Sequence, residues 1–288
     1  GMRFDDRITG NVEKFSTKSK KIHVDIDPSE IGKIISVDVP IVGDVKDVLQ
    51  KLNKHVDAAT HGDWLKRIEI LKEDHPSLRL PDTDKLIARQ VIRDISDVTD
   101  GDATIVTGVG QHQMWAAQHY EFKNPCSLLT SGGSGTMGYE VPAAMGAQVA
   151  KPEGTVWSIA GDGGFQMTLC ELATIVENKL PVKFAILNNG FLGMVRQWQE
   201  IFFESSYVST GYSGNPDFVK LAEAYDIKGI RVTDKTQVKT AIREAMEHDG
   251  PVLIDFIVEQ EENVYPMIPS GMTVKDMIEE PSNERVTA

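Results

Sequence analysis

The sequence predicts an α/β fold, a doubly wound parallel sheet with helices on both faces. Between residues 83 and 260, apolar runs typical of buried strands alternate with segments whose apolar residues recur at helical spacing. Strands separated by helices pair in parallel, because each connection must cross back to the same end of the sheet. The stretch 155–189 shows this most clearly, with an apolar run, a glycine turn, a helix and a second apolar run.

Residues 1–54 predict only the end of a preceding α/β domain. They contain a strand at 21–26, a short helix from residue 27 and a longer helix from residue 41, which are too few elements to bury a core. We therefore expect the chain to be the C-terminal portion of a longer protein. Residues 55–82 are charged and contain Pro76 and Pro81, which predicts an exposed helix at 64–74 followed by a linker.

The main domain is predicted to span residues 83–260 and to be followed by an irregular tail at 261–288. Its helices are predicted at 83–95, after the loop 108–112 as far as 120, and at 142–150, 165–178, 193–199, 216–224 and 236–248. Its strands are predicted at 103–107, 126–130, 155–160, 182–187, 229–232 and 252–258, with a glycine loop at 131–138.

Composition narrows the class of protein. With 41% hydrophobic and 25% charged residues the chain is predicted to be globular and soluble, and its net charge of −13 argues against a nucleic-acid-binding surface. We find neither a membrane-spanning run nor a signal peptide. Cys126 and Cys170 lie in apolar contexts and are predicted to be buried free thiols in a reducing compartment. We expect a cytoplasmic location, or an organelle in a eukaryote.

Two polar side chains, Asp162 and Asn189, follow the two predicted strands of the 155–189 unit. The carboxyl ends of neighbouring parallel strands meet at one edge of a sheet, so these side chains are expected to lie close together. A carboxylate, an amide oxygen and a glycine turn suit Mg²⁺ that carries a phosphate ligand. Singly, each has an ordinary structural explanation, since Asp often caps a helix and Asn-Asn-Gly often forms a turn. Together they favour a metal and diphosphate site.

A second glycine pattern, GSGTMG at residues 133–138, allows a different ligand. It fits G-x-G-x-x-G between a strand and a helix, which is typical of NAD-dependent dehydrogenases. Three features argue against that alternative. Pro142 predicts that the helix starts beyond the glycines. Asp162 is surrounded by glycines that a ribose-binding acid does not need, and the Asn-Asn pair has no role in binding a dinucleotide.

The chain resembles the large catalytic subunits of the acetohydroxyacid (acetolactate) synthase family, which are thiamine-diphosphate enzymes. The resemblance is carried by motifs spread over nearly the whole chain, and the tryptophan in GMVRQWQ distinguishes this family from pyruvate decarboxylases and oxidases. These motifs are GMRFDDRITG, HVDIDPSEIGK, TGVGQHQMWAAQ, GSGTMGYEVPAAMGAQVAKP, GDGGFQM, LNNGFLGMVRQWQEIFFE and PMIPSG. The implied fold is the thiamine-diphosphate-binding fold, preceded by part of an FAD-type middle domain.

The resemblance implies a role for each residue of the site. Asp162, Asn189 and the carbonyl of Phe191 would bind Mg²⁺, and Met194 and Trp198 would line the pocket of the second keto acid. Without the resemblance, the helical spacing of Met194 and Trp198 would favour ordinary core packing instead. Met137 would bend the cofactor and the Gly135 carbonyl would take its amino group. The remaining cofactor-binding positions are Val109, Gly110, Gln111, His112, Gly163, Gly164 and Met194, and Gly164 is Ser in many relatives.

The resemblance also implies what the full-length protein would need. Its middle domain binds FAD, and the matching positions here are Asp6, Arg7, Asp25 and Asp44. The activating glutamate of the family belongs to a pyrimidine-binding domain, and no Glu in this chain matches it, so we expect no catalytic residue and no turnover in this chain alone.

The expected substrates are pyruvate and 2-ketobutyrate, and the expected assembly is a homodimer or tetramer, with a possible small regulatory subunit. Another thiamine-diphosphate carboligase or decarboxylase is the alternative enzyme. A folding or interaction module that associates through its glycine-rich face is the alternative outside catalysis.

Overall fold

The computed structural model describes residues 4–281 of the chain. These residues divide into two compact units, one made of residues 4–77 and 265–281 and the other of residues 78–264. Among the described residues, no helix combines the length and the apolar character that crossing a membrane requires.

The first unit is built on two short parallel strands. Helix α1 (Asp6–Thr9) precedes strand β1 (Ile22–Asp25), which pairs with β2 (Val39–Val42) from Ile22 opposite Val39 to Asp25 opposite Val42. Helix α2 (Val45–Leu52) begins after Asp44, whose carboxylate accepts hydrogen bonds from the amides of the first turn. Helix α3 (Gly62–Asp74) buries none of its residues, which confirms the predicted exposed helix.

Two predictions for this unit were wrong. Residues 27–35 form turns rather than a short helix, because Asp27 closes a local turn by accepting hydrogen bonds from the amide and hydroxyl of Ser29. Ile41 and Val42 belong to β2 rather than to the start of a helix, because they pair with β1. The tail is irregular as predicted, with one 3₁₀ turn at Val274–Asp276 and an antiparallel bridge between Met267 and Ile278.

The second unit contains a six-stranded sheet in which every pair of neighbouring strands is parallel, as the sequence predicts. Its strands are β3 (Thr104–Thr107), β4 (Leu128–Thr130), β5 (Val156–Gly161), β6 (Lys183–Asn188), β7 (Lys228–Val232) and β8 (Val252–Ile257). Their order is β4-β3-β5-β6-β8-β7, so β3, β5 and β6 are consecutive near the centre of the sheet.

Helices cover both faces of this sheet, and the sheet separates two apolar cores. One core contains residues of α4 (Ala88–Val98), α5 (Gln111–His119) and α11 (Val238–Glu247). The other contains residues of α6 (Glu140–Ala150), α7 (Asp162–Phe165), α8 (Leu172–Glu177) and α10 (Phe218–Ala224). Successive strand residues alternate between the cores, as Trp157 and Val156 do, because side chains of a strand point to opposite faces. Helix α9 (Gly193–Phe202) follows β6.

The helix predicted at 165–178 is interrupted. Helix α7 ends at Phe165, a 3₁₀ turn covers Leu169–Glu171, and α8 begins only at Leu172. Side-chain bonds hold the intervening residues out of a continuous helix, since Gln166 donates to the carbonyl of Asp162 and the Thr168 hydroxyl donates to the carbonyl of Gly138.

The predicted burial of the cysteines was also wrong, since Cys126 and Cys170 are both exposed free thiols. Cys126 has a φ of 57° and lies outside β4, which begins at Leu128. Cys170 lies in the 3₁₀ turn where the predicted helix is interrupted. In both places the backbone turns, so the cysteine side chain is exposed although its sequence neighbours are apolar.

Candidate functional site

Three loops meet where strands β3, β5 and β6 end. Because the strands are parallel neighbours, the residues that follow each of them come out at the same edge of the sheet. These residues begin at Gly108 after β3, at Asp162 after β5 and at Asn189 after β6. A cavity lies between them, and Met137, from the glycine loop before α6, also lines it.

The cavity collects nearly all the residues that the sequence singled out for the cofactor and the metal. They are Val109, Gly110, Gln111, His112, Met137, Asp162, Gly163, Gly164, Asn189, Phe191 and Met194. Gly135 does not line it and is exposed, with a φ of +64°.

Asp162 is the anionic centre of the cavity. It is buried, and its carboxylate accepts hydrogen bonds from the Gly163 amide at 2.9 Å, from the Gly190 amide at 2.8 Å and from Asn215 Nδ2 at 2.7 Å. Burial raises the pKa of Asp162 to about 6, and these three donors oppose that rise. A cation beside the carboxylate would offset the cost of its buried charge.

The two asparagines at the end of β6 have separate roles. Asn189 lines the cavity, and its Oδ1 accepts the amide of Phe191 at 3.1 Å. Asn188 instead donates to Asp255 Oδ1 at 3.0 Å and accepts from Asn215 Nδ2 at 3.0 Å. Asp162, Asn189 and Phe191 therefore line one cavity, and carboxylate, amide and carbonyl oxygens are the kind of ligand that suits Mg²⁺. Within residues 4–281, no group of three or more His, Cys, Asp or Glu side chains could hold a metal.

Close backbone approach explains two of the glycines. A Cβ on Gly163 would overlap the hydroxyl of Tyr212, and one on Gly193 would overlap Gln111 Oε1. The backbone of the turn after β5 thus lies directly against Tyr212, and the start of α9 lies directly against Gln111.

Gln111 and His112 form the wall that follows β3. Gln111 Nε2 donates to Gln197 Oε1 at 3.0 Å and to the carbonyl of Glu262 at 2.9 Å. His112 is buried, and burial lowers the pKa of its imidazole to about 4, so the ring is neutral at pH 7. Its Nε2 has no hydrogen-bond partner among the described residues and can bind a ligand group.

Comparison with known proteins identifies the family. The family model described as "Thiamine pyrophosphate enzyme, C-terminal TPP binding domain" matches residues 108–256, and the central-domain model of the same enzymes matches residues 1–52. The first match contains the loops after β3, β5 and β6, which border the cavity. The chain belongs to the thiamine pyrophosphate enzyme family. Thiamine pyrophosphate is another name for thiamine diphosphate, which is therefore the cofactor of this family.

Similar proteins cover nearly all of this thiamine pyrophosphate enzyme chain. Acetolactate synthase 1, chloroplastic, of Zea mays is 44% identical over 292 residues, which is 96% of the chain and 46% of the relative. The acetolactate synthase large subunit of Corynebacterium glutamicum is 47% identical over 288 residues, with the same two shares. Acetolactate synthase isozyme 2 large subunit of Escherichia coli is 41% identical over 279 residues, 97% of the chain and 50% of the relative. The chain thus spans about half the length of the curated relatives it matches.

The glycine pattern at 133–138 does not contribute its glycines to the cavity of this thiamine pyrophosphate enzyme. A Cβ on Gly133 or Gly135 would meet no atom within 4 Å. Helix α6 begins at Glu140 rather than at Pro142, so the glycines lie nearer its start than predicted, and that argument against a dinucleotide was weaker than the sequence suggested. The family match decides in favour of thiamine diphosphate.

Met194 and Trp198 line a second, largely apolar cavity of about 520 Å³ beside α9. Phe203 and Val208 also line it. Met194 borders both cavities, so this pocket adjoins the cofactor cavity. Trp198 is exposed, which shows that its helical spacing does not reflect core packing.

The four FAD-type positions lie in the first unit. Asp6 and Arg7 are exposed in α1, whereas Asp25 is buried at the end of β1 and accepts the amide of Asp27 at 2.9 Å. Asp44 caps α2. Asp25 and Asp44 therefore both accept hydrogen bonds from nearby backbone amides.

Sequence reasoning missed three residues of the site. Asn215 and Tyr212 reach Asp162 and Gly163 from the loop after α9, and no local pattern marks them because their partners are far away in the sequence. Glu140, which is fully buried beside Gly164, is also new. It is the one charged residue in the otherwise uncharged helix α6, and that isolated charge was a signal that could have identified it.

Proposed function

We propose that the chain is part of an acetolactate synthase, a transferase of branched-chain amino-acid biosynthesis that joins pyruvate to a second 2-keto acid. The chain would supply the half of the site that holds the diphosphate and the metal. One observation carries this proposal. Asp162, Asn189 and Phe191 border the same cavity as the glycine turn and the wall formed by Gln111 and His112. The similarity to acetolactate synthases over 96% of the chain supports this choice of reaction.

The residues of the chain would divide the binding between metal and diphosphate. The Asp162 carboxylate, the Asn189 amide oxygen and the Phe191 carbonyl would hold Mg²⁺, which in turn would offset part of the negative charge of the diphosphate. Gly163 and Gly164 would cradle the diphosphate, together with Gln111 and neutral His112, and Val109 and Gly110 would complete the loop.

Thiamine diphosphate, when bound, supplies the electron sink that allows a 2-keto acid to lose CO₂ and react as a carbon nucleophile. The chain's own residues would position the partners of that reaction. Met137 would press against the bound cofactor as an apolar wedge, and the Gly135 carbonyl would accept a hydrogen bond from its amino group. Met194 and Trp198 would exclude water from the pocket that receives pyruvate or 2-ketobutyrate.

The complete enzyme would need more than this chain. We infer that the glutamate that activates the cofactor belongs to another domain, that FAD binds near Asp6, Arg7, Asp25 and Asp44 in the full-length protein, and that the chain alone does not turn over. A homodimer or tetramer, a possible small regulatory subunit, and a cytoplasmic or organellar location follow from the same proposal. Turnover of pyruvate by the purified chain with thiamine diphosphate and Mg²⁺ would contradict the inference that the chain alone is inactive.

Thermal unfolding of the 288-residue chain tests the site itself. A ligand that binds only the folded state raises the midpoint by mass action. Thiamine diphosphate with Mg²⁺ is expected to raise it, whereas thiamine diphosphate with a chelator, or NAD⁺ with Mg²⁺, is not. A rise with NAD⁺ alone would overturn the proposed ligand. Another thiamine-diphosphate carboligase or decarboxylase is the alternative, and product analysis of the full-length enzyme distinguishes it, because acetolactate is expected rather than acetaldehyde.

A further inference from the structure

Glu140 is a buried carboxyl behind the glycine turn of the cofactor cavity. It is fully inaccessible to solvent at the first turn of α6. A Cβ placed on Gly164 would lie 2.9 Å from Glu140 Oε1, and one placed on Gly108 would overlap Oε2. The carboxyl therefore fills the space between the loop after β3 and the loop after β5. Gly164 itself borders the cavity, so a single residue separates the carboxyl from the proposed diphosphate site.

Nothing in the described part of the chain neutralises this carboxyl. Neither oxygen of Glu140 has a hydrogen-bond partner there. Burial raises the pKa of Glu140 to about 7, and the amides of Gly138 and of Glu140 itself oppose that rise without reaching hydrogen-bond geometry. A group in this position is close to the point at which it exchanges a proton at neutral pH.

The surrounding elements add no cation. Strands β3 and β5, against which α6 packs, carry no charged residue, and Glu140 is the one charged residue of α6 itself. The 3₁₀ turn packed on α6 contributes Glu171. Asp162 and His112 lie on the two loops, and at pH 7–9 the first is anionic and the second neutral. A diphosphate placed in the cavity would bring negative charge toward Glu140, because its charge exceeds that of the Mg²⁺ bound with it.

We propose that Glu140 is a positioning residue of the cofactor site, whose carboxyl takes up one proton from solvent when the diphosphate binds. This inference rests on the proposed function. The protonated carboxyl keeps its place between Gly108 and Gly164 and holds the two loops at their spacing, without an ionised group behind the bound anion. The proton remains on the Glu140 carboxyl as long as the diphosphate is bound, and it returns to solvent when the diphosphate leaves.

Isothermal titration calorimetry of the whole chain tests the proposal, with thiamine diphosphate plus Mg²⁺ as the probe. Titrations at pH 8 in two buffers of different ionisation enthalpy measure the protons taken up on binding. The chain is expected to take up about one proton more than the Glu140→Gln variant, because the amide cannot be ionised. We also expect the affinity of the unmodified chain for thiamine diphosphate to decrease between pH 7.5 and 9. Divided by the affinity of the Glu140→Gln variant at the same pH, it is expected to fall by up to about tenfold per pH unit.

Two further variants complete the test. Glu140→Met is neutral and of similar length, and it replaces Glu140→Gln if the amide does not fold in this apolar space. Glu171→Gln is the matched control, which is expected to keep the proton uptake of the unmodified chain.

Equal proton uptake and parallel pH profiles in the unmodified chain and the neutral variants would overturn this inference alone. Failure of the unmodified chain to bind thiamine diphosphate at any pH would overturn the proposed function and this inference with it.

Discussion

Asn215 Nδ2 donates a 2.7 Å hydrogen bond to Asp162 Oδ2 across 53 positions of sequence. The same oxygen accepts the amide of Gly190, and Oδ1 accepts the amide of Gly163. Three donors from three segments thus orient the carboxylate. Such preorganisation reduces the cost of ordering the side chain when a metal binds.

Asp162→Asn is expected to abolish the Mg²⁺-dependent part of the stabilisation by thiamine diphosphate. The amide keeps the shape of the side chain but loses the charge that balances the cation. At a ligand concentration of 100 times Kd, the lost stabilisation would be about 2.7 kcal/mol. Thermal unfolding with and without Mg²⁺ measures this loss.

The control is Asp234→Asn, because Asp234 caps an exposed 3₁₀ turn, and that variant is expected to keep the full response. A normal Mg²⁺ response in Asp162→Asn would contradict the assigned metal ligand.

Gly163→Ala is expected to destabilise the fold by roughly 1–3 kcal/mol, because the added Cβ overlaps the hydroxyl of Tyr212 and also approaches Leu192. Tyr212→Phe removes the hydroxyl, so the double variant is expected to be more stable than the sum of the single changes predicts. Urea unfolding of the four proteins measures the coupling. Strictly additive changes would show that Tyr212 does not restrict this glycine.

Glu140→Gln is expected to change how stability depends on pH. In the folded chain the pKa of Glu140 is raised from 4.5 to about 7, so the folded state holds this proton more tightly than the unfolded state. The resulting stabilisation is complete below about pH 4.5 and is lost as pH rises to about 7. Relative to the variant, the free energy of unfolding of the unmodified chain should fall by on the order of 3 kcal/mol over that window. Urea unfolding at several pH values gives both curves, and parallel curves would refute the raised pKa.

Glu262→Ala is expected to cost about 3–5 kcal/mol, because it leaves the buried Arg89 guanidinium without its carboxylate. Glu262 Oε1 lies 2.6 Å from Arg89 Nε, both side chains are buried, and Oε2 accepts the amide of Ala88 at the start of α4. Lys85→Ala breaks the ion pair between the exposed Lys85 and the partly buried Glu259 and is expected to cost less than about 1 kcal/mol. Denaturant unfolding compares the two variants. Equal losses of unfolding free energy in the two variants would mean that burial does not determine how much each ion pair stabilises the chain.

The sequence was most informative where one segment carries its own pattern. The strand periodicity around Trp157 and Phe184 predicted the parallel sheet, and Asp162 and Asn189 were placed together because each follows a strand of one β-α-β unit. Local periodicity is a property of neighbouring residues, so it can be recognised before the fold is known. The prediction of a continuous helix at 165–178 was wrong, because side-chain hydrogen bonds to the carbonyls of Gly138 and Asp162 interrupt it, and helix propensity does not reveal such bonds.

The residues that complete the site were decided by the tertiary structure. Asn215 and Tyr212 reach the turn after β5 only because the loop after α9 packs against it, and Glu140 fills the space between Gly108 and Gly164 only because α6 packs on β3 and β5.

By itself, the sequence determined the alternation of strands and helices, the closeness of Asp162 and Asn189 at one cavity, and the motifs of a thiamine-diphosphate enzyme. Only the tertiary structure decided which distant side chains hold Asp162 and which carboxyl is buried without a hydrogen-bond partner among residues 4–281. The physical reason is that hydrogen-bond partners and burial depend on strand order and helix packing, which bring together residues with no common local pattern.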